Sequence, residues 1–478
     1  MTDIQLQDIS SSLRTFIIND TEPKSYSTAI KPLSAYQDYK QYDYQQTQES
    51  SIQEDISEFP DGGFEAYTSL FGTFCGLVPV FGVFNSLGAI QSYISNQQLA
   101  GVKASNISWI FSSYLTICFA SSVLVGAYFD RNGGRIPGIL VTILFVGGIM
   151  AMANSTKIWH FILSFGVCCG VATGFMATIS MSSVTTWFYK KRSTATSIAL
   201  LGGSIGGIIF PIMLRKLFVE LGFEWAIRIL GFISLGCLLC YMCLSKERPI
   251  DNKDARHLKK PFESRRQCVR WYITSCFNWR YLLDYKFLFT SLGVSLAESS
   301  LTAASTYFAS YAIFKGNSEE TSYVLLTMIN VFSIVGRVLP GYLSDHFFGG
   351  FNVIIVMVIM CTVFNFAIWL PFGGNSKCLW AYSCLYGVSS GGIMSLTPPL
   401  IGKISKTVDF GKRYSTTYLI QAVLTLPIIP ICGAIIGNDP SLSDYNNFII
   451  FATMLMLGGA FCYIIARYLC VGFKLVAF

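Results

Sequence analysis

Charge is scarce in this sequence. Of its 478 residues only 13% are Asp, Glu, Lys or Arg, against 52% hydrophobic ones; a soluble domain carries about 25% charged residues. So few polar side chains cannot clothe a folded chain in water, which excludes a soluble globular protein and leaves lipid as the second solvent. Histidine is scarcer still. The three present, His160, His257 and His346, have no ligand-like spacing, so no metal site and no Cys–His pair is expected. Paired acids and nucleophile–base spacings are also missing, which argues against an enzyme and against any cofactor. The first 60 residues lack an apolar run and read as neither a signal nor a transit peptide. Rich in Gln, Ser, Tyr and Asp, they are expected to form a disordered cytoplasmic tail, 1–60.

Cysteine is plentiful, at fifteen residues, but most lie inside apolar runs (Cys75, Cys118, Cys168, Cys169, Cys237, Cys240, Cys243, Cys361, Cys432, Cys462) and read as small packing residues. The net charge of +7 gathers on no single domain, so nucleic acid is not an expected partner. The partners to expect are a bilayer and a small-molecule substrate.

What the chain does have is twelve long apolar runs, near 65–90, 105–128, 136–154, 158–184, 194–217, 225–244, 287–313, 322–343, 352–371, 378–401, 415–437 and 447–467. About 20 residues at 1.5 Å rise cross a bilayer as a helix. Twelve spans put both termini on one side, and the loops decide which. One set holds Arg131, Arg135, Lys190, Lys191, Arg192, Lys403, Lys406, Lys412, Arg413 and the many basic residues of 245–286; the other holds mainly Lys103, Lys157, Lys315 and Lys377 beside acidic Glu319, Glu320, Asp439 and Asp444. By the positive-inside rule the first set, and both termini, face the cytoplasm. The domains follow: bundles over 61–244 and 287–467, a cytoplasmic linker over 245–286, and a short tail, 468–478. Trp271, Tyr272, Phe277, Trp279 and Tyr281 among the arginines of the linker suit either a helix lying in the interface or a plain connection.

The turn between the second and third runs, Gly126-Ala-Tyr-Phe-Asp130-Arg131-Asn-Gly-Gly-Arg135, is too short to cross a membrane and must be a hairpin tip. Asp130 there is placed to cap a helix or pair with an arginine. A weaker copy, Gly341-Tyr-Leu-Ser-Asp345-His346, follows about 215 residues later at the same place in the second set of six. G-x-x-x-D-R-x-G-x-R resembles the loop between helices 2 and 3 of the major facilitator superfamily. That resemblance implies an all-α membrane protein of twelve transmembrane helices in two pseudo-symmetric six-helix bundles, alternating access around a midplane site. Gly126, Asp130, Arg131, Arg135, Gly341 and Asp345 are then gate residues, locking one face through charge pairs broken on switching.

Two more stretches, Asp61-Gly62-Gly63-Phe64-Glu65-Ala-Tyr67 and Trp187-Phe188-Tyr189-Lys190-Lys191-Arg192 running into the helix with Gly202, Gly203, Gly206 and Gly207, resemble the two signatures of the monocarboxylate-transporter family. Glu65, Tyr67 and Ser197 depart from its pattern. The run Pro79-Val-Phe81-Gly-Val-Phe84-Asn85 looks closest to the fungal branch of that family, which includes plasma-membrane riboflavin carriers. This implies a plasma-membrane location, with the vacuolar membrane as alternative. In the family's proton-coupled carriers an Asp precedes the eighth-helix Arg by four positions and a Lys stands in the first span. Here Arg337 is present, but Ser333 holds the Asp position and Phe84 and Asn85 lie around the Lys position. Facilitated uptake of riboflavin or a similar metabolite is the first reading, proton-coupled monocarboxylate transport the alternative, and a transporter-like nutrient sensor a third. Polar groups inside spans are costly to bury unless they serve a function or find a partner. On that ground Asn85, Glu298, Asn330, Ser333, Arg337 and Gln421 are the candidate binding residues.

Overall fold

The computed structural model describes residues 59–478, apart from 101, 103, 249–263, 265, 268–270, 273–278, 438–440, 475 and 478. Residues 1–58 of the expected tail and most of the linker, Phe277 included, thus lie outside the described residues. Among those described are twelve membrane-length helices: α1 (Phe64–Asn85), α2 (Ala104–Asn132), α3 (Arg135–Ala153), α4 (Ile158–Trp187), α5 (Arg192–Glu220), α6 (Gly222–Leu244), α7 (Tyr285–Phe314), α8 (Glu319–Leu343), α9 (Gly350–Phe372), α10 (Ser376–Lys403), α11 (Phe410–Ile436) and α12 (Leu442–Val471). Eleven are both long and apolar enough to cross a membrane. The exception, α10, is long enough at 28 residues but rich in Ser, Gly, Tyr and Pro. Its burial explains why: most of its side chains face neighbouring helices rather than lipid.

The first apolar run breaks one turn early. α1 ends at Asn85, Ser86 turns the chain with its hydroxyl on the Gly82 carbonyl (2.6 Å), and a short helix, Leu87–Tyr93, resumes. Elsewhere the expected runs and the helices coincide to within a few residues, most of them longer than the runs because polar end residues such as Arg192 and Glu319 remain helical.

Each half has its own apolar core. One joins α1–α6 around Phe145, Phe165, Met176 and Tyr114; the other joins α7–α12 around Trp369, Tyr382, Phe308 and Phe448. With no hydrophobic drive between helices in lipid, close backbone approach through small residues holds such bundles. The glycine face expected on α5 does this against α1: a Cβ at Gly202 would run into the Phe74 carbonyl oxygen, and one at Gly206 into that of Val78. The first core also takes in Ile401, Phe410 and Tyr414 from the second half. All three lie toward the face that carries the α2–α3, α4–α5, α8–α9 and α10–α11 connections, called here the basic face. The halves are packed together there.

Candidate functional site

Two carboxylates join the halves on the basic face, and they do so as a pair. Asp130, at the end of α2, accepts hydrogen bonds from the backbone amides of Gly411 and Lys412, both at 2.9 Å, in the first turn of α11. Asp345, just beyond α8, accepts from the backbone amides of Ser193 (3.2 Å) and Thr194 (2.7 Å) in the first turn of α5. The first four amides of a helix have no partner within it and carry the positive end of its dipole. Each half thus ends its second helix in an anion that caps the fifth helix of the other half. Gly126 and Gly341, one turn earlier, allow the approach: a Cβ at Gly126 would overlap the Gly411 carbonyl oxygen, and one at Gly341 the Ser197 hydroxyl.

This corrects the expected charge pairs. Asp130 caps neither α3 nor an arginine of its own tip. Arg131 lies over the Trp271 ring at 5.0 Å, and Arg135 is exposed at the start of α3. Glu247 does the local capping instead, accepting from the Gly134 amide at 2.6 Å; burial pushes its carboxyl above the ordinary value while that amide opposes the shift.

The signature stretches meet each other. Asp61 accepts from the amides of Tyr189 (2.7 Å), Lys190 (2.8 Å) and Lys191 (3.3 Å), tying the entry of α1 to the entry of α5. It does so from the left-handed region, φ 46°, where aspartate is among the few tolerated side chains. Gly63 follows at φ 96°, and Gly62 and Phe64 complete the turn, Phe64 exposed. Phe188 is buried beside Tyr67. Arg192, also buried, donates to the Phe188 carbonyl (3.2 Å) and to the Thr407 hydroxyl of the other half (3.3 Å), while Lys190 and Lys191 are both exposed.

The linker adds a strap. Trp271 lies under Arg131 of the first half and Lys412 of the second (5.0 and 5.7 Å), and the Tyr272 hydroxyl accepts from the Asn132 amide at 2.7 Å. Stacked cations contribute about 0.5–1 kcal/mol each at such sites. Replacing Trp271 with Ala, which removes both contacts, is therefore expected to slow initial uptake by about five- to tenfold at equal surface abundance.

Further in, the two seams between the halves differ in chemistry, and each is called a wall here. The α5–α8 wall is polar and small. Asn85 of α1 donates to the Gly203 carbonyl (3.1 Å), the Ser204 and Ser333 hydroxyls meet at 2.8 Å, and Arg337 donates to the Leu200 carbonyl with its Nε unpartnered. Arg337 is 6% exposed, and the described residues place no carboxylate in an ion pair with it. Asn330, one turn before Ser333, is half-buried; its side-chain amide donates to the Leu326 carbonyl at 3.4 Å and its carbonyl accepts from the Ser333 hydroxyl at 2.7 Å. The α2–α11 wall is aromatic. Phe119 stacks on Tyr418 across the halves at 6.0 Å, and Phe84 meets Phe119 edge-on. Glu298 of α7 stands behind that wall, 5% exposed, and accepts from the Tyr418 hydroxyl at 3.4 Å. Gln421 is fully buried between α11 and α7, on the Thr425 and Ser299 hydroxyls.

The structure therefore gathers Asn85, Ser333 and Arg337 on one wall, sets Glu298 behind the other and keeps Gln421 inside the second bundle. Phe119, Ser204, Glu247 and the amides of Gly411 and Lys412 escaped the sequence reading. For Glu247 a signal existed, since it is the acid between Lys246 and Arg248 directly after a span.

Comparisons with known proteins agree with this architecture. The sequence profile of the Major Facilitator Superfamily matches residues 70–430. The chain is 45% identical over 441 residues to riboflavin transporter MCH5 of Saccharomyces cerevisiae, covering 90% of this chain and 83% of that one. It is 32% identical to MFS-type transporter 1 of an Ophiocordyceps species, covering 86% and 87%. Among solved structures, the human organic anion transporter MFSD10 superposes with TM-score 0.61 at 15% identity, covering 83% of this chain and 99% of that one. The transporter FucP in its outward conformation gives 0.59 at 15%, covering 84% and 99%.

Proposed function

Because the chain belongs to the major facilitator superfamily it is a multi-pass secondary transporter, and we propose that its substrate is riboflavin or a closely similar neutral metabolite, taken up by facilitated diffusion. The observation that carries this reading is the 45% identity to a riboflavin transporter along 90% of the chain. The site agrees with it. A flat, neutral heterocycle with a hydroxylated tail suits a cleft with one aromatic wall and one wall of amides and hydroxyls, and the acid–amine relay of proton-coupled carriers is missing at Ser333 and Asn85.

In this reading Asn85, Asn330, Ser333 and Arg337 contact substrate, while Glu298 and Gln421 support the opposite bundle. The basic face is cytoplasmic by the distribution of Lys and Arg, so the described state is closed to the cytoplasm, and both termini lie inside the plasma membrane. Transport alternates this state with one in which the Asp130 and Asp345 caps are broken.

The experiment is uptake of labelled riboflavin and labelled lactate into cells lacking their own carriers, at two external pH values. Saturable riboflavin uptake indifferent to pH is the expected result. Lactate uptake that rises at acid pH, without riboflavin uptake, overturns the reading and makes Glu298 the carboxyl to mutate next.

A further inference from the structure

A third apolar cluster belongs to neither core. It consists of Cys118 and Phe119 of α2 and Ala422 of α11, with Phe84, Ala120 and Tyr418 packed partly buried around it. Both bundles already have complete cores of their own, so this patch is not needed to hold either one together. It lies between them, on one side only. The pseudo-symmetric partner interface, α5 with α8, has at the corresponding depth Gly203, the Ser204–Ser333 hydroxyl pair and Arg337.

Duplication would make the two interfaces alike, and here they are opposites. Phe119 and Tyr418 lie nearly parallel, 19° apart. Phe84 bridges toward Phe81 (6.1 Å), which packs on Gly203 at the polar wall. An aromatic band thus runs from the α2–α11 interface toward the polar groups, with Phe81, Phe84 and Tyr418 resting on the edge of the first core. Such a surface recognises a π-face, and the other wall recognises hydrogen-bonding groups.

Resting on the flavin reading above, we propose that this asymmetry fixes the orientation of the substrate. The flat ring lies on the Phe119–Tyr418 side, with Phe119 a specificity-determining residue, and the hydroxylated tail lies toward Asn85, Ser333 and Arg337. Ring and tail are then read by different helices, and a residue on one wall discriminates one part of the ligand.

The test uses the full-length protein in nanodiscs and two probes followed by quenching of flavin fluorescence: riboflavin, and lumiflavin, which has the same ring with a methyl group in place of the tail. Phe119→Leu keeps the volume and removes the ring face. It is expected to weaken both probes by about tenfold, with Phe119→Tyr restoring both. Asn85→Ala is expected to weaken riboflavin by about tenfold and lumiflavin by less than twofold. Lumiflavin binding unchanged in Phe119→Leu, or an equal loss of both probes in Asn85→Ala, overturns the orientation, as does wild-type protein that binds neither flavin. Should Phe119→Leu melt early, Tyr418→Leu makes the same comparison from the other ring. The two readings separate cleanly. Phe119-dependent lumiflavin binding without cellular riboflavin uptake sinks the proposed function and keeps the aromatic wall, whereas uptake with no Phe119 effect does the reverse.

Discussion

Asp130→Asn is expected to slow transport about 10- to 100-fold while surface abundance stays near wild type. The carboxylate makes two charge-assisted bonds, one from each oxygen, to the Gly411 and Lys412 amides. Bonds of this kind contribute roughly 1.5–3 kcal/mol each when one partner is ionised, and the amide of asparagine keeps at most one of them, without the charge. What is lost is stability of the state closed on the basic face rather than of either bundle, since the cap runs between helices of different halves. Population shifts toward the state open on that face, and the return step becomes the slow one. Asp345→Asn should act in the same direction through α5, and the double variant should lose more than either single one. The check is initial uptake rate beside quantified surface protein. Unchanged uptake in Asp130→Asn at normal abundance would count against the capping account.

Gly126→Val should be worse. A Cβ there overlaps the carbonyl oxygen of Gly411 and the Ser415 hydroxyl, with the Gly411 carbonyl carbon at 2.8 Å. Backbone cannot rotate aside as a side chain does, so α2 and α11 must separate for the valine to fit. Overpacking costs about 1–3 kcal/mol where neighbours relax; against helix backbone the upper end applies, and the closed state becomes about 100-fold rarer. Gly341→Ala is a milder counterpart. The Ser197 hydroxyl in its way can turn aside, which leaves the Ser197 Cβ at 2.9 Å and the Ser193 carbonyl at 3.1 Å to shift slightly, a smaller clash than that at Gly126. A cysteine introduced on the cytoplasmic side of the α2–α11 seam should react faster with a membrane-impermeant thiol reagent in inside-out vesicles of Gly126→Val than in the parent. Equal labelling and normal uptake would mean that the halves close elsewhere.

The sequence reached the fold and the positions of the two tip carboxylates but not what those carboxylates bind. Apolar run length alone located the twelve helices, and the repeated tip located Asp130 and Asp345, because burial in lipid and short connections leave direct marks on composition. The partners of those carboxylates leave none. A backbone amide is present at every residue but proline, so nothing in the letters Gly411-Lys412 or Ser193-Thr194 announces an acceptor from another helix. The central site shows the same division. Arg337 stands out as a charge inside an apolar run, whereas Phe119 is one of 38 phenylalanines, most of them packing, and only the pairing of α2 with α11 singles it out. α10 illustrates the converse. Its polarity weakens its signal as a span, and its burial between other helices is what makes that polarity tolerable.

Helix caps that reach across two bundles also constrain how such a carrier can change over generations. An ion pair between side chains has two substitutable members, so a reversal on one side can be answered by a reversal on the other. Here one member is the main chain. Loss of Asp130 cannot be repaired by any replacement at 411 or 412, because every residue there except proline offers the same donor, and no residue offers an acceptor in the same place. The lock tolerates many changes around it but not at the two carboxylates, nor at Gly126 and Gly411, where an added Cβ would meet backbone. Drift can therefore reshape much of the loops around it, while the cross-bundle caps themselves hang on two carboxylates, Asp130 and Asp345.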